Sequence, residues 1–155
     1  MCNEQLLNKL LTRRYLDRIG MWNMKTPQKI KMFIWKATHN ILLEEETNEH
    51  ALLLCDWTKT VWFGSQIQCT PNKQNVKLIR VWLQEMLRKC NQGNKSEAIQ
   101  NWSKIDIILW AIWKARNEKV YQNLEPNPES TINYDRVLEL NYLNLAKESN
   151  NEIKE

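Results

Sequence analysis

The sequence is poor in the residues that build loops and cross-links. Its 155 residues include three Gly, four Pro and two His, so collagen-like and low-complexity readings are excluded. Three isolated glycines also leave no Gly-rich loop for cradling phosphate, and no nucleophile-elbow setting surrounds any serine. The four cysteines, Cys2, Cys55, Cys69 and Cys90, lie far apart with no pair at metal-knuckle or redox spacing, which argues against a disulfide framework. The longest apolar run, residues 107–113, has seven residues, against about 20 for a bilayer-spanning helix. The opening residues lack the pattern of a signal peptide. The expectation is a soluble, intracellular protein with no membrane partner, and neither nucleus nor cytoplasm is favoured.

What is abundant is tryptophan, with eight residues, and charge, which comes in blocks. Residues 1–36 carry eight Lys/Arg against two Asp/Glu, and residues 37–62 one against five. Residues 73–119 carry ten against four, and residues 120–155 three against seven. Basic blocks either meet phosphate, with salt-sensitive affinity, or face the acidic blocks of the same fold. The charge pattern leaves both open.

The apolar positions follow the helical period throughout. Leu7, Leu10, Leu11, Tyr15 and Ile19 mark a first helix that ends at Gly20. Thr26 and Pro27 suit the N-cap and first position of a second, with Ile30, Phe33, Ile34, Ala37 and Ile41 as its buried face. Thr47 is the expected cap of a third, marked by Ala51, Leu54, Val61 and Trp62 and ending near Gly64. Residues 65–74 are polar and read as a linker. Val76, Ile79, Leu83, Leu87 and Cys90 set a fourth helix, and Ile105, Ile108, Leu109, Ile112 and Val120 a fifth. Trp102, Trp110 and Trp113 widen the fifth stripe, so that helix requires neighbours on several sides. After Pro126 and Pro128, Tyr134, Val137, Leu138, Tyr142 and Leu145 outline a last amphipathic helix before a frayed tail, 148–155. No strand-like alternation and no internal repeat occur. The fold class is therefore all-α, a small irregular bundle of about five to six amphipathic helices. The chain divides into an N-terminal helix (1–20), a module at 21–64, the linker, a Trp-rich segment (75–123) and a C-terminal helix with its tail (124–155).

Composition and spacing name no function, but two stretches carry a motif. Trp22, Thr26, Pro27, Lys29, Ile30, Lys31, Phe33, Ile34, Trp35, Lys36 and Ala37, with Glu46, Thr47, His50, Cys55, Val61 and Trp62, resemble the zinc-binding region of plant non-LTR (LINE-type) retrotransposon reverse transcriptases. Trp110, Ile112, Trp113, Lys114, Arg116 and Asn117 resemble the segment those proteins carry between that region and an RNase H-like domain. The resemblance implies a Cys-Cys-His-Cys zinc site, yet the C-x2-C half is missing: Leu42 and Leu43 run directly into Glu44, Glu45 and Glu46. Only His50 and Cys55 stand at ligand positions, and structural zinc usually takes four N or S ligands. Five residues apart, the two lie about 140° from each other around an unbroken α-helix, so only an irregular turn would aim both at one metal. The expectation is no cofactor, with zinc bound only if Cys2, Cys69, Cys90 or His39 completes a site.

Absent that, His50 is a capping or surface histidine and Cys55 a small buried hydrophobe. The tryptophans are expected mainly in the core. No strand-rich, Asp-bearing segment follows Tyr121 to supply RNase H carboxylates, so the chain is read as non-catalytic. The function the resemblance implies is contact with RNA or DNA through Lys25, Lys29, Lys31 and Lys36, together with Lys114 and Arg116. The alternatives are a helix-mediated protein-interaction protein with a Trp-rich docking surface, and a retroelement-derived fragment without a function.

Overall fold

The computed structural model describes residues 26–39, 47–90 and 95–152. The expected first helix, Trp22, Lys25, Ile41 and the shortened 42–46 junction lie outside the described residues. Within them the fold is all-α: five α-helices and one π-helical turn, with no strand.

Helix α1, Gln28–Thr38, buries Ile30, Phe33, Ile34 and Ala37 at the expected positions. It begins one residue later than expected, with Pro27 rather than Thr26 at the cap; the Pro27 carbonyl accepts from the Ile30 and Lys31 amides at 3.0 and 3.3 Å. Thr26 turns inward instead, and its buried Oγ1 has no hydrogen-bond partner. His39 ends the helix. Its ring stacks on Trp35 at 4.2 Å, and its Nδ1 lies 2.7 Å from the Trp35 carbonyl oxygen, capping the C-terminal turn.

The expected third helix is two elements. Thr47 does cap its start, Oγ1 accepting from the His50 amide at 3.1 Å. A π-helical turn, His50–Leu54, follows, closed by the Cys55 N–H donating to the His50 carbonyl at 3.0 Å. Cys55 is extended (φ −66°, ψ 144°) and restarts the chain as α2, Asp56–Gly64. The acidic Asp56 in the first turn suits the positive end of the new helix dipole. The turn drives Ala51, Leu52 and Leu53 into the core, and Trp62 anchors it by donating Nε1–H to the Leu52 carbonyl at 2.9 Å.

The expected linker, 65–74, is irregular, and the irregular stretch runs on through 78, so Val76 precedes the fourth helix rather than opening it; the whole segment lies against the core. Pro71 and Val76 are buried, and Ile67 and Cys69 pack on the central cluster. Asn72 folds the segment back, its Oδ1 accepting from the Gln74 and Asn75 amides at 2.9 and 3.0 Å. Helix α3, Ile79–Cys90, buries Ile79, Trp82, Leu83 and Leu87. Its cap comes from across the fold: Glu49 Oε1 accepts from the Ile79 amide at 2.9 Å, 30 residues away in sequence.

Helix α4, Lys95–Gln122, is the axis of the molecule and touches every other element. That answers the expectation from its wide apolar stripe: Trp102, Ile105, Ile107, Ile108, Leu109, Ala111 and Ile112 are all buried. The stripe stops short of Val120, which is 58% exposed. Helix α5, Pro128–Glu152, starts on an Asn127 cap, whose Oδ1 accepts from the Glu129 and Ser130 amides, with Pro128 in the first position, where no N–H is required. The expected tail is helical through Glu152. The expected apolar face of α5 is met in part: Leu138 is buried and Tyr142 packs on the core, but Val137 faces solvent, and Thr131, Asp135 and Glu139 are buried instead. No helix among the described residues is long and apolar enough to cross a membrane.

Candidate nucleic-acid interface

The exposed stripe of α1 follows from its packing. Once Ile30, Phe33, Ile34 and Ala37 face inward, Lys29, Met32 and Lys36 recur at i, i+3 and i+7 on the outer side. Lys31 falls on the other side. It is 9% exposed and acts on Asp106 of α4, so it is not placed to meet phosphate. The helical period that exposes Lys29 and Lys36 turns Lys31 toward α4.

The outer cations meet the aromatic residues of α4. Phe33 packs edge-on against Trp110 at 5.6 Å between ring centroids and stacks on Trp113 at 5.7 Å. Lys29 Nζ lies 5.4 Å from the centroid of the Trp110 ring, and the Arg116 guanidinium 5.4 Å from that of Trp113. One turn away, Lys114 Nζ sits 4.3 Å over Tyr134 of α5 and donates to its hydroxyl at 3.2 Å. The quadrupole of each ring attracts the cation above it. Lys29 of α1 and Lys114 and Arg116 of α4 thus each ride on a separate ring and form a discontinuous basic edge: Lys114 and Arg116, two residues apart, leave α4 on different sides, and Lys36 shares the outer side of α1 with Lys29. Lys25 lies outside the described residues.

Beside this edge, α4 and the start of α5 enclose an open groove of about 340 Å³. Lys114, Glu118, Thr131 and Tyr134 line it together with Leu124 and Pro126. It presents one lysine and acids of the opposite sign, and this mixed lining does not extend the basic edge.

The tryptophans divide between core and edge. Trp62 and Trp102 are fully buried and Trp82 nearly so, with Trp62 and Trp82 in a T-shaped pair at 5.2 Å. Trp35, Trp57, Trp110 and Trp113 are half-buried. The large apolar side chains that do face solvent are others, including Phe63, Tyr121 and Leu124.

At the residues that resemble metal ligands, the irregular turn required to reconcile His50 with Cys55 is present as the π-helical turn. His50 is exposed and Cys55 half-buried. Among the described residues no group of three or more His, Cys, Asp or Glu side chains gathers where a metal could sit. His39 is occupied at the end of α1. Cys69 packs against the core, and burial pushes its thiol up to about 11. The side chain of Cys90 and all of Cys2 lie outside the described residues.

Sequence reasoning missed three groups. Asp106 is fully buried on the α1 side of α4, neither carboxylate oxygen has a hydrogen-bond partner, and burial holds its pKa well above the usual carboxylate range, with Lys31 opposing the rise. Asp135 and Glu139 are buried on the inward face of α5, toward Lys104 of α4. Glu49 is the distant cap of α3. The spacing of Trp102, Asp106 and Trp110, four residues apart on one helical stripe, is the one signal that could have marked an inward acid. No protein-family model, curated protein or solved structure matches the chain.

Proposed function

We propose that the chain is a non-catalytic nucleic-acid-binding module derived from the zinc-binding region of a retrotransposon reverse transcriptase, its metal site degenerate. In this reading Lys29, Lys36, Lys114 and Arg116 hold a phosphate backbone, and packing rather than zinc holds the fold. The observation that supports it is the seating of Lys29, Lys114 and Arg116 over the rings of Trp110, Tyr134 and Trp113, respectively. Stacking on rings limits the motion of long cationic side chains and leaves their charge at the surface. Half-buried indoles beside them offer apolar surface next to the phosphate contacts, an arrangement suited to single strands.

The test is fluorescence anisotropy with a labelled single-stranded RNA, titrated across salt. Four phosphate contacts predict a slope of log K against log salt of about −3. Lys29→Glu with Lys36→Glu weakens binding by about tenfold or more at low salt, while Lys73→Glu, in the exposed loop before α3, leaves it unchanged. Binding that ignores the double reversal refutes the assignment.

The second reading, a helix-mediated interaction protein, draws on Phe63, Tyr121 and Leu124, which are 68%, 82% and 53% exposed. Phe63→Ser with Tyr121→Ser separates the two: lost self-association or partner binding with RNA binding unchanged favours the second reading. Tryptophan emission from the described indoles should be blue-shifted and protected from iodide whether or not the protein self-associates, since each of them is buried or half-buried.

A further inference from the structure

Helix α5 is mounted with its polar groups inward. Asp135 and Glu139 are 2% and 8% exposed, while Val137 and Leu140 are 53% and 62% exposed. One turn apart, the two carboxyls lie on the same face and point their charge at the same seam. Among the described residues of α4, Lys104 answers them, with Nζ 3.7 Å from Glu139 Oε1. Asp135 Oδ1 has no hydrogen-bond partner. The cations acting on Asp135 are Arg136 of α5 and Lys104 of α4. The third packed element, α2, meets α5 through Gly64 against Ile132 and brings no charge that acts on it. The two buried anions share one partly buried lysine, while Arg136 sits on the exposed side of α5, and a buried carboxylate in that position takes up a proton.

We propose that the α4–α5 seam is a proton-operated latch: α5 is held against α4 when Asp135 is protonated and loosens when Asp135 ionises. The inference does not depend on nucleic-acid binding. Burial raises the Asp135 carboxyl to about 7, the Glu139 charge adds to the rise, and Arg136 and Lys104 oppose it. Detached from the seam, the group returns to the ordinary carboxylate range. The proton is therefore bound more tightly in the docked state. Docking is strongest below the ordinary carboxylate pKa, and its advantage is lost as pH rises through about 7. The opening equilibrium of α5 then increases about tenfold between pH 6 and pH 8. Opening also withdraws Tyr134 from Lys114, so the latch governs one cation of the basic edge.

Hydrogen–deuterium exchange on the full chain, corrected for the intrinsic pH dependence of exchange, tests this. Peptides from 128–142 should be about tenfold less protected at pH 8 than at pH 6, with a smaller change in α3 peptides. Asp135→Asn, which fills the same space without ionising, should abolish the difference. Should that variant fail to fold, Glu139→Gln removes the neighbouring charge and should move the midpoint to lower pH. Flat α5 protection in the unmodified protein, a pH dependence that survives in Asp135→Asn, or a midpoint unmoved in Glu139→Gln overturns the proposal.

Discussion

The two long sides of α4 are built on different chemistry. Toward α2, α3 and the π-helical turn, the contacts are dry and shape-determined: Ile105, Ile108, Leu109 and Ile112 meet a cluster that includes Leu52, Trp62 and Leu83. Toward α5, the seam contains Lys104, Asp135 and Glu139, and its stability depends on protonation. The dry side answers to volume and the ionisable side to pH, so one helix carries both the permanent core and an adjustable contact. Asp106 is the exception, a buried acid on the α1 side.

The largest effect is expected on the dry side. Trp62→Ala removes a fully buried indole, its hydrogen bond to the Leu52 carbonyl and its partner contact with Trp82. A loss of about 3–5 kcal/mol follows, read from urea unfolding, and it should be equal at pH 6 and pH 8. A loss under about 1 kcal/mol would mean that this side is not the permanent core.

Asp106 gives the next effect and tests the exception. Its folded pKa is raised by burial, so its contribution is fully present below the ordinary carboxylate pKa and diminishes as pH rises above that value. Asp106→Asn, which never ionises, should stabilise the protein at pH 8 by about 1–3 kcal/mol and leave it nearly unchanged at pH 4. Thermal melts at the two pH values check it. A stabilisation of the same size at both would locate the effect in packing rather than charge.

Glu49→Ala has the smallest predicted effect. It removes the acceptor of the Ile79 amide and should cost about 0.5–2 kcal/mol, with amide exchange accelerated first at the start of α3. Unchanged exchange there would show that water replaces the carboxylate at no cost.

Much of the helical architecture was legible because burial and period coincide. Ile30, Phe33, Ile34 and Ala37 are inward at the expected positions, and the wide stripe of α4 correctly announced a helix surrounded on several sides. In α5 the same logic placed Leu138 and Tyr142 but failed at Val137. Val137 looked inward by hydropathy, yet Asp135 and Glu139 hold the inward positions because Lys104 stands opposite and protonation relieves the remaining charge. The candidate edge was half legible. The i, i+7 spacing put Lys29 and Lys36 on one side, whereas the meeting of Lys29 with Trp110, some eighty residues later, depends on how α1 packs on α4.

By itself the sequence determined a chain of amphipathic helices with no strand pattern and a tryptophan-rich central element, since those properties depend on residue type and local spacing alone. Only the tertiary structure decided that Lys31 is buried while Lys29 rides on an indole, that a π-helical turn separates His50 from Cys55, and that α5 turns its acids inward. Each is set by what lies across the interface, and the energy of a charge or an aromatic ring depends on that neighbour more than on its place in the chain.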